Sequence, residues 1–176
     1  TRHFWLTEGN FRSLDWQGLS EEYERGAMVL SRKAVEACMD GKTLQDIGCV
    51  VFASCTGYTC PSIAHRLGLP FPKDAFYTAI LGQGCEGAGF PGLKRAYDFC
   101  VTSGKPALVI GCELSSCTFF PEDGKPDPAN HYELLRGATI FADAAIAALI
   151  GWDDDPRHPE IVDMAVHVEP EYLPYL

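Results

Sequence analysis

The sequence predicts an α/β fold layered around a largely parallel sheet, and two observations carry that prediction. Short, nearly continuous apolar runs recur at 47–53, 75–81, 107–114 and 144–152, the length and texture of strands buried on both faces. Stretches with helical apolar spacing lie between several of these runs, bounded by glycine and proline. Strands that alternate with helices favour parallel pairing through crossover connections. The 176 residues suffice for one domain with a real core and are too few for two ordinary ones.

The elements follow in order. Ser20 is the expected N-cap of the first helix, with Glu21 and Glu22 in its first turn, where carboxylates suit the helix dipole. Tyr23, Ala27, Leu30, Ala34, Val35 and Cys38 then recur at helical spacing, and Gly41 supplies a stop. The strand at 47–53 opens into a turn-rich loop at 54–62, and 63–67 is a short helix closed by Gly68. The strand at 75–81 enters a glycine-rich turn, after which Phe90, Leu93, Ala96, Tyr97 and Cys100 mark a helix. The strand at 107–114 precedes a polar, proline-rich loop at 121–130 and one helical turn at 131–135. The last strand, 144–152, ends in the turn 153–156, and the alternation of 161–168 reads as an edge strand.

Composition narrows the function. Hydrophobic residues make up 47% and charged residues 22%, the balance of a soluble globular protein. The net charge is −10 and the 14 basic residues are scattered, so no nucleic-acid partner is expected. No apolar run approaches the roughly 20 residues of a membrane span. Residues 1–10 mix Arg2, His3 and Glu8 with apolar groups and do not read as a signal peptide. With no initiator Met, Thr1 is not expected to be the original start of translation. The eight cysteines fall largely in apolar, periodic segments, as at Cys38, Cys49, Cys100 and Cys112. They read as small buried hydrophobes in a reducing, cytoplasmic setting. The pairs Cys55/Cys60 and Cys112/Cys117 have C-x4-C spacing, whereas zinc sites more often use C-x2-C, so no metal is expected.

One segment carries chemistry. In Gly82-Gln83-Gly84-Cys85 a strand ends, small residues permit a sharp turn, and a helix is expected to begin near Cys85. A thiol at a helix N-terminus faces unpaired N–H groups and the positive end of the dipole, which favour the thiolate. The same N–H groups can stabilise an oxyanion on an acyl carbonyl. The alternative is a buried structural cysteine beside a glycine-rich turn.

Gly82-Gln83-Gly84-Cys85 resembles the nucleophile motif of type III polyketide synthases, the chalcone-synthase-like branch of the thiolase superfamily. Other segments resemble the family in the same order: Arg2 to Glu8, the loop Ser54-Cys55-Thr56-Gly57-Tyr58-Thr59-Cys60-Pro61-Ser62, Arg95 to Cys100, Cys112 to Phe119, and Phe141-Ala142-Asp143-Ala144-Ala145-Ile146-Ala147. The match runs from Arg2 to about Trp152. It implies a layered αβαβα thiolase-like fold, with residues 1–152 an N-terminal half, incomplete at its start, and 153–176 the beginning of a connection. It also implies roles. Cys85 would be acylated by an acyl-CoA starter and hold the growing chain. Phe141 would orient malonyl-CoA for decarboxylation. Cys55, Ser115 and Thr118 would line the acyl cavity, and Cys60 would cross a dimer interface. Coenzyme A thioesters would be substrates, with no further cofactor.

The departures matter too. Glu86 follows Cys85 where the family has small residues, and is expected on the helix's first turn, directed away from the thiol. Ala142 and Ala144 replace glycines, so the backbone there must avoid positive φ or bear strain. The family's catalytic His and Asn motifs are absent. His3, His65, His131, His158 and His167 do not match the catalytic position. The chain is therefore expected to need the remaining half of its fold, to dimerise in the complete enzyme, and to be inert alone. The alternatives are a ketoacyl synthase III or HMG-CoA synthase-like condensing enzyme, a non-catalytic subunit of such an assembly, and a metal-binding module built on the C-x4-C pairs.

Overall fold

Val50 and Phe52 point to one side of a strand and Cys49 and Val51 to the other, yet all four are buried. A strand with no wet face must lie inside a sheet covered on both sides. The computed structural model, which describes residues 14–82, 89–118, 140–165, 167 and 169–171 and the backbone of two short strands nearer the start, shows how. In chain order the elements are β1 (Leu6–Thr7), β2 (Asn10–Phe11), α1 (Trp16–Met39), β3 (Cys49–Ser54), α2 (Ile63–Arg66), β4 (Phe76–Leu81), α3 (Gly89–Ser103), β5 (Ala107–Glu113), a 3-10 turn (Ser115–Cys117) and β6 (Ala144–Ile150). β1 and β2 form an antiparallel pair. The main sheet has the order β4-β3-β5-β6. β3 pairs in parallel with both β4 and β5, and β6 runs antiparallel to β5.

α1 covers one face. Its buried residues Leu19, Tyr23, Ala27, Ser31, Val35 and Met39 fall every four positions, a stripe that packs on Val50, Phe52, Leu108, Ile110 and Cys112. Burying each large aliphatic or aromatic side chain here contributes about 1.5–3 kcal/mol. The helix starts earlier than expected. Asp15, not Ser20, is the N-cap, and its Oδ1 accepts a hydrogen bond from the Gly18 N–H at 2.8 Å. Ser20 lies inside the helix because Leu19, one residue before it, is already buried as the first member of the apolar stripe. At the other end Asp40 adopts a left-handed conformation with φ 37°, followed by Gly41 at φ 82°.

α3 covers the other face. Gly92, Ala96 and Cys100 form a stripe of small buried residues. A Cβ at position 92 would lie 3.2 Å from Val109 Cγ1, so the glycine sets how closely α3 approaches β5. The second core, Cys49, Val51, Ala96, Cys100, Ala107 and Val109, lies under it.

Both outer strands depart from the expectation of full burial. β4 is only partly covered, and on β6 Ile146 is 60% exposed. They are the edges of the described sheet, and helix layers cover the centre better than the rims. The interval 161–168 forms no strand among its described residues. The residues that replace family glycines, Ala142 and Ala144, have ordinary negative φ, so the backbone there avoids strain. The helical turn expected at 131–135 lies outside the described residues.

Candidate active site

Parallel strands place their C-terminal ends at one edge, where open α/β sheets bind ligands. Here β3, β4 and β5 end together at Ser54, Leu81 and Glu113. β6 runs the other way, so its first residue, Ala144, pairs with Glu113 at the same edge. The topology therefore gathers four expected site residues: Cys55 just after β3, Ser115 and Thr118 just after β5, and Phe141 just before β6. The chain leaving β4 also turns here. Gly82 has φ 66° and donates its N–H to the Ser54 carbonyl at 3.0 Å. Cys85 lies between this turn and the first residue of α3, outside the described residues, as does Glu86.

Glu113 organises the edge. Its Oε1 accepts from the Cys55 N–H at 2.8 Å. Its Oε2 accepts from the Thr56 N–H at 3.0 Å, from the Thr56 hydroxyl at 2.7 Å and, more weakly, from the Ser54 hydroxyl at 3.5 Å. Thr56 Oγ1 in turn accepts from the Leu114 N–H at 2.8 Å. Behind them the Tyr23 hydroxyl donates to Ser54 Oγ at 2.8 Å. Burial pushes the Tyr23 phenol well above its usual range, with lesser upward contributions from Cys112, Glu113 and Cys117, so it stays a donor.

A second carboxylate does similar work. Asp143 accepts from the Ser116 N–H at 2.9 Å and from the Ser116 hydroxyl. The Ser115 hydroxyl donates to the Ala142 carbonyl at 3.4 Å. These bonds tie the segment entering β6 to the turn leaving β5, and Phe141 sits on that segment, 52% exposed. Thr118 is exposed, its hydroxyl donating to the Ser115 carbonyl at 2.8 Å. Cys60 is exposed farther along the β3 loop, and its carbonyl accepts from Arg66 Nη2 at 3.0 Å. Arg66 also donates to the Pro61 carbonyl at 3.2 Å and pairs with Glu24 of α1.

The remaining described cysteines are packing groups. Cys49, Cys100, Cys112 and Cys117 are buried free thiols. Burial pushes Cys49 and Cys112 up to about 11 and Cys117 up to about 12, away from thiolate chemistry. No group of three or more His, Cys, Asp or Glu side chains able to hold a metal occurs among the described residues. Nor is any described helix long and apolar enough to cross a membrane. Sequence reasoning missed Glu113 and Asp143 as organisers. The available signal was a lone carboxylate ending an apolar strand run, and another just before one.

Comparison with known proteins gives the site its context. No family model matches the chain. Among curated proteins, it is 33% identical over 156 residues to a chalcone synthase-like protein of Bacillus subtilis (strain 168), an alignment covering 83% of this chain and 40% of the relative. It is 32% identical over 137 residues to a phloroglucinol synthase of Pseudomonas fluorescens, covering 75% and 37%. Among solved structures, 1,3,6,8-tetrahydroxynaphthalene synthase of Streptomyces coelicolor A3(2) superposes with a TM-score of 0.63 at 27% identity, over 77% of this chain and 38% of the other. The polyketide synthase PKS-I of the brown alga Ectocarpus siliculosus gives 0.68 at 26% identity, over 88% and 42%. The chain thus spans about two fifths of the length of the relatives it matches.

Proposed function

From a chain whose homologues are type III polyketide synthases, and which carries part of their thiolase-like fold, we propose that it is the nucleophile-bearing part of an acyltransferase that extends an acyl-CoA starter with malonyl-CoA. The observation that carries this reading is the convergence of Cys55, Ser115, Phe141 and the turn toward Cys85 on one edge of the sheet.

In the proposed reaction the Cys85 thiolate attacks the starter thioester carbonyl. The C–S bond to coenzyme A breaks, and coenzyme A leaves as its thiolate and takes up a proton. Malonyl-CoA then loses carbon dioxide. The electron pair released at its α-carbon attacks the acyl-Cys85 carbonyl, forming a carbon–carbon bond and freeing the Cys85 thiolate. Phe141 orients the malonyl group beside Cys85, while Cys55, Ser115 and Thr118 line the space for the chain. Cys60 reaches the partner subunit's cavity across a dimer interface. Coenzyme A thioesters are the substrates, and no other cofactor takes part. The catalytic His and Asn come from the remaining part of the fold, so this chain alone is inert. The complete enzyme works in the cytoplasm.

The test is turnover by the full-length protein given acetyl-, hexanoyl- or decanoyl-CoA with malonyl-CoA. The reading expects carbon dioxide release coupled to a malonyl-extended product, and loss of that product in Cys85→Ala. Malonyl-CoA consumption that Cys85→Ala leaves unchanged contradicts it.

A further inference from the structure

Most of a β-strand's terminal polar groups are satisfied by the sheet or by water. At the end of β5 one side chain instead satisfies several groups of a different loop. Glu113 takes the consecutive N–H groups of Cys55 and Thr56, one on each carboxylate oxygen, plus the Thr56 hydroxyl. Hydrogen bonds to an ionised acceptor are roughly twice as strong as neutral ones. The Thr56 hydroxyl closes the circuit by accepting from Leu114 N–H, the residue after Glu113. The loop is thereby pinned to β5 at three points within two residues.

The pinning constrains more than itself. Gly57 follows directly, against the Tyr23 ring, and Tyr58 reaches across so that its hydroxyl would lie 2.2 Å from a Cβ at position 82. Gly82 is where the chain turns toward Cys85. The Glu113 carboxylate thus fixes Cys55 on one side, and through the same loop it fixes the Tyr58 contact with the turn after β4.

We propose that Glu113 is a positioning residue that sets acyl-chain selectivity by holding Cys55 at a fixed depth beside the acyl group. This inference rests on the functional reading above. Glu113 need not touch the acyl chain. A loop released from it lets Cys55 withdraw or advance and changes the length of chain the space accepts. Glu113→Gln keeps the size of the side chain but replaces one accepting oxygen with an NH2 group that faces N–H donors. Thr56→Val keeps the shape and removes the bridging hydroxyl, whereas Thr56→Ser retains it.

The full-length enzyme and these three variants are compared by amide hydrogen exchange and by kcat/KM for straight-chain acyl-CoA starters of 2 to 12 carbons with malonyl-CoA. The expected result is exchange at the Cys55 and Thr56 amides at least tenfold faster in Glu113→Gln and Thr56→Val. The ratio of kcat/KM for long over short starters should move at least fivefold, and Thr56→Ser should keep both wild-type values. Unchanged exchange at those amides overturns the positioning role. Faster exchange with a uniform loss across all starters overturns the selectivity role and leaves a purely structural one. A wild-type enzyme that never acylates Cys85 overturns the functional reading and the selectivity claim with it, and the exchange result alone then decides whether Glu113 holds the loop.

Discussion

The Tyr23 ring lies across Gly57, so that a Cβ at position 57 would sit 2.4 Å from a ring carbon. The same ring sends its hydroxyl to Ser54 at 2.8 Å. One residue of α1 therefore fixes both ends of the short segment that carries Cys55. Gly57→Ala must push ring or loop aside, an overpacking cost of about 1–3 kcal/mol. Tyr23→Phe keeps the packing and loses one buried hydrogen bond, about 1 kcal/mol. Urea unfolding of the full-length protein should show a larger loss for Gly57→Ala than for Tyr23→Phe.

The start of α1 offers a clean comparison. Asp15 caps the helix and Ser20 sits within it. Asp15→Ala should cost about 1 kcal/mol, whereas Ser20→Ala should stay within about 0.5 kcal/mol of wild type. Equal effects in chemical denaturation would return the helix start to Ser20.

The buried thiols carry a pH signature. Cysteine in an unfolded chain ionises near about 8.5, while burial holds Cys49 and Cys112 at about 11 and Cys117 at about 12. Above pH ~8.5 the unfolded chain gives up protons that the folded chain keeps. The stability from these thiols is full below that pH and declines as pH rises through about 11 to 12. The urea midpoint should therefore fall between pH 8 and pH 11. In the folded protein at pH 8, a thiol-alkylating reagent should spare Cys49, Cys100, Cys112 and Cys117, which are buried, and modify them once urea unfolds the chain.

Asp143 holds the turn after β5 to the segment that enters β6. Asp143→Ala strips the acceptor from the Ser116 N–H and hydroxyl together, and should cost about 1–3 kcal/mol. If Phe141 orients malonyl-CoA, its loosened segment should raise KM for malonyl-CoA several-fold more than KM for the starter. Steady-state kinetics with each substrate varied in turn measures the difference.

Much of the fold was legible because its signals are local. Continuous apolar runs marked β3 and β5 to within about two residues, and four-residue spacing marked α1 and α3. What is not local was harder. Nothing in Ala144–Ile150 says which way the strand runs, because direction is set by its pairing with β5. The N-cap was misplaced because Ser20-Glu21-Glu22 is a stronger local pattern than Asp15-Trp16, and only tertiary packing of Leu19 decides between them. Cys55, Ser115, Thr118 and Phe141 stood out through family resemblance alone. Their shared edge follows from strand direction, which no spacing rule encodes. Glu113 was hidden by position: a carboxylate at the end of an apolar run looks like a solvated strand terminus until Cys55 and Thr56 are seen to donate to it.

Everything proposed for this chain turns on Cys85 forming the thioester. The direct measurement is peptide mass spectrometry of the full-length enzyme after incubation with an acyl-CoA, with and without malonyl-CoA. An acyl adduct is expected on the Cys85 peptide, discharged or lengthened by malonyl-CoA, with no such adduct in Cys85→Ala. An unmodified Cys85 peptide from an enzyme that still turns over, with activity unchanged in Cys85→Ala, would contradict it.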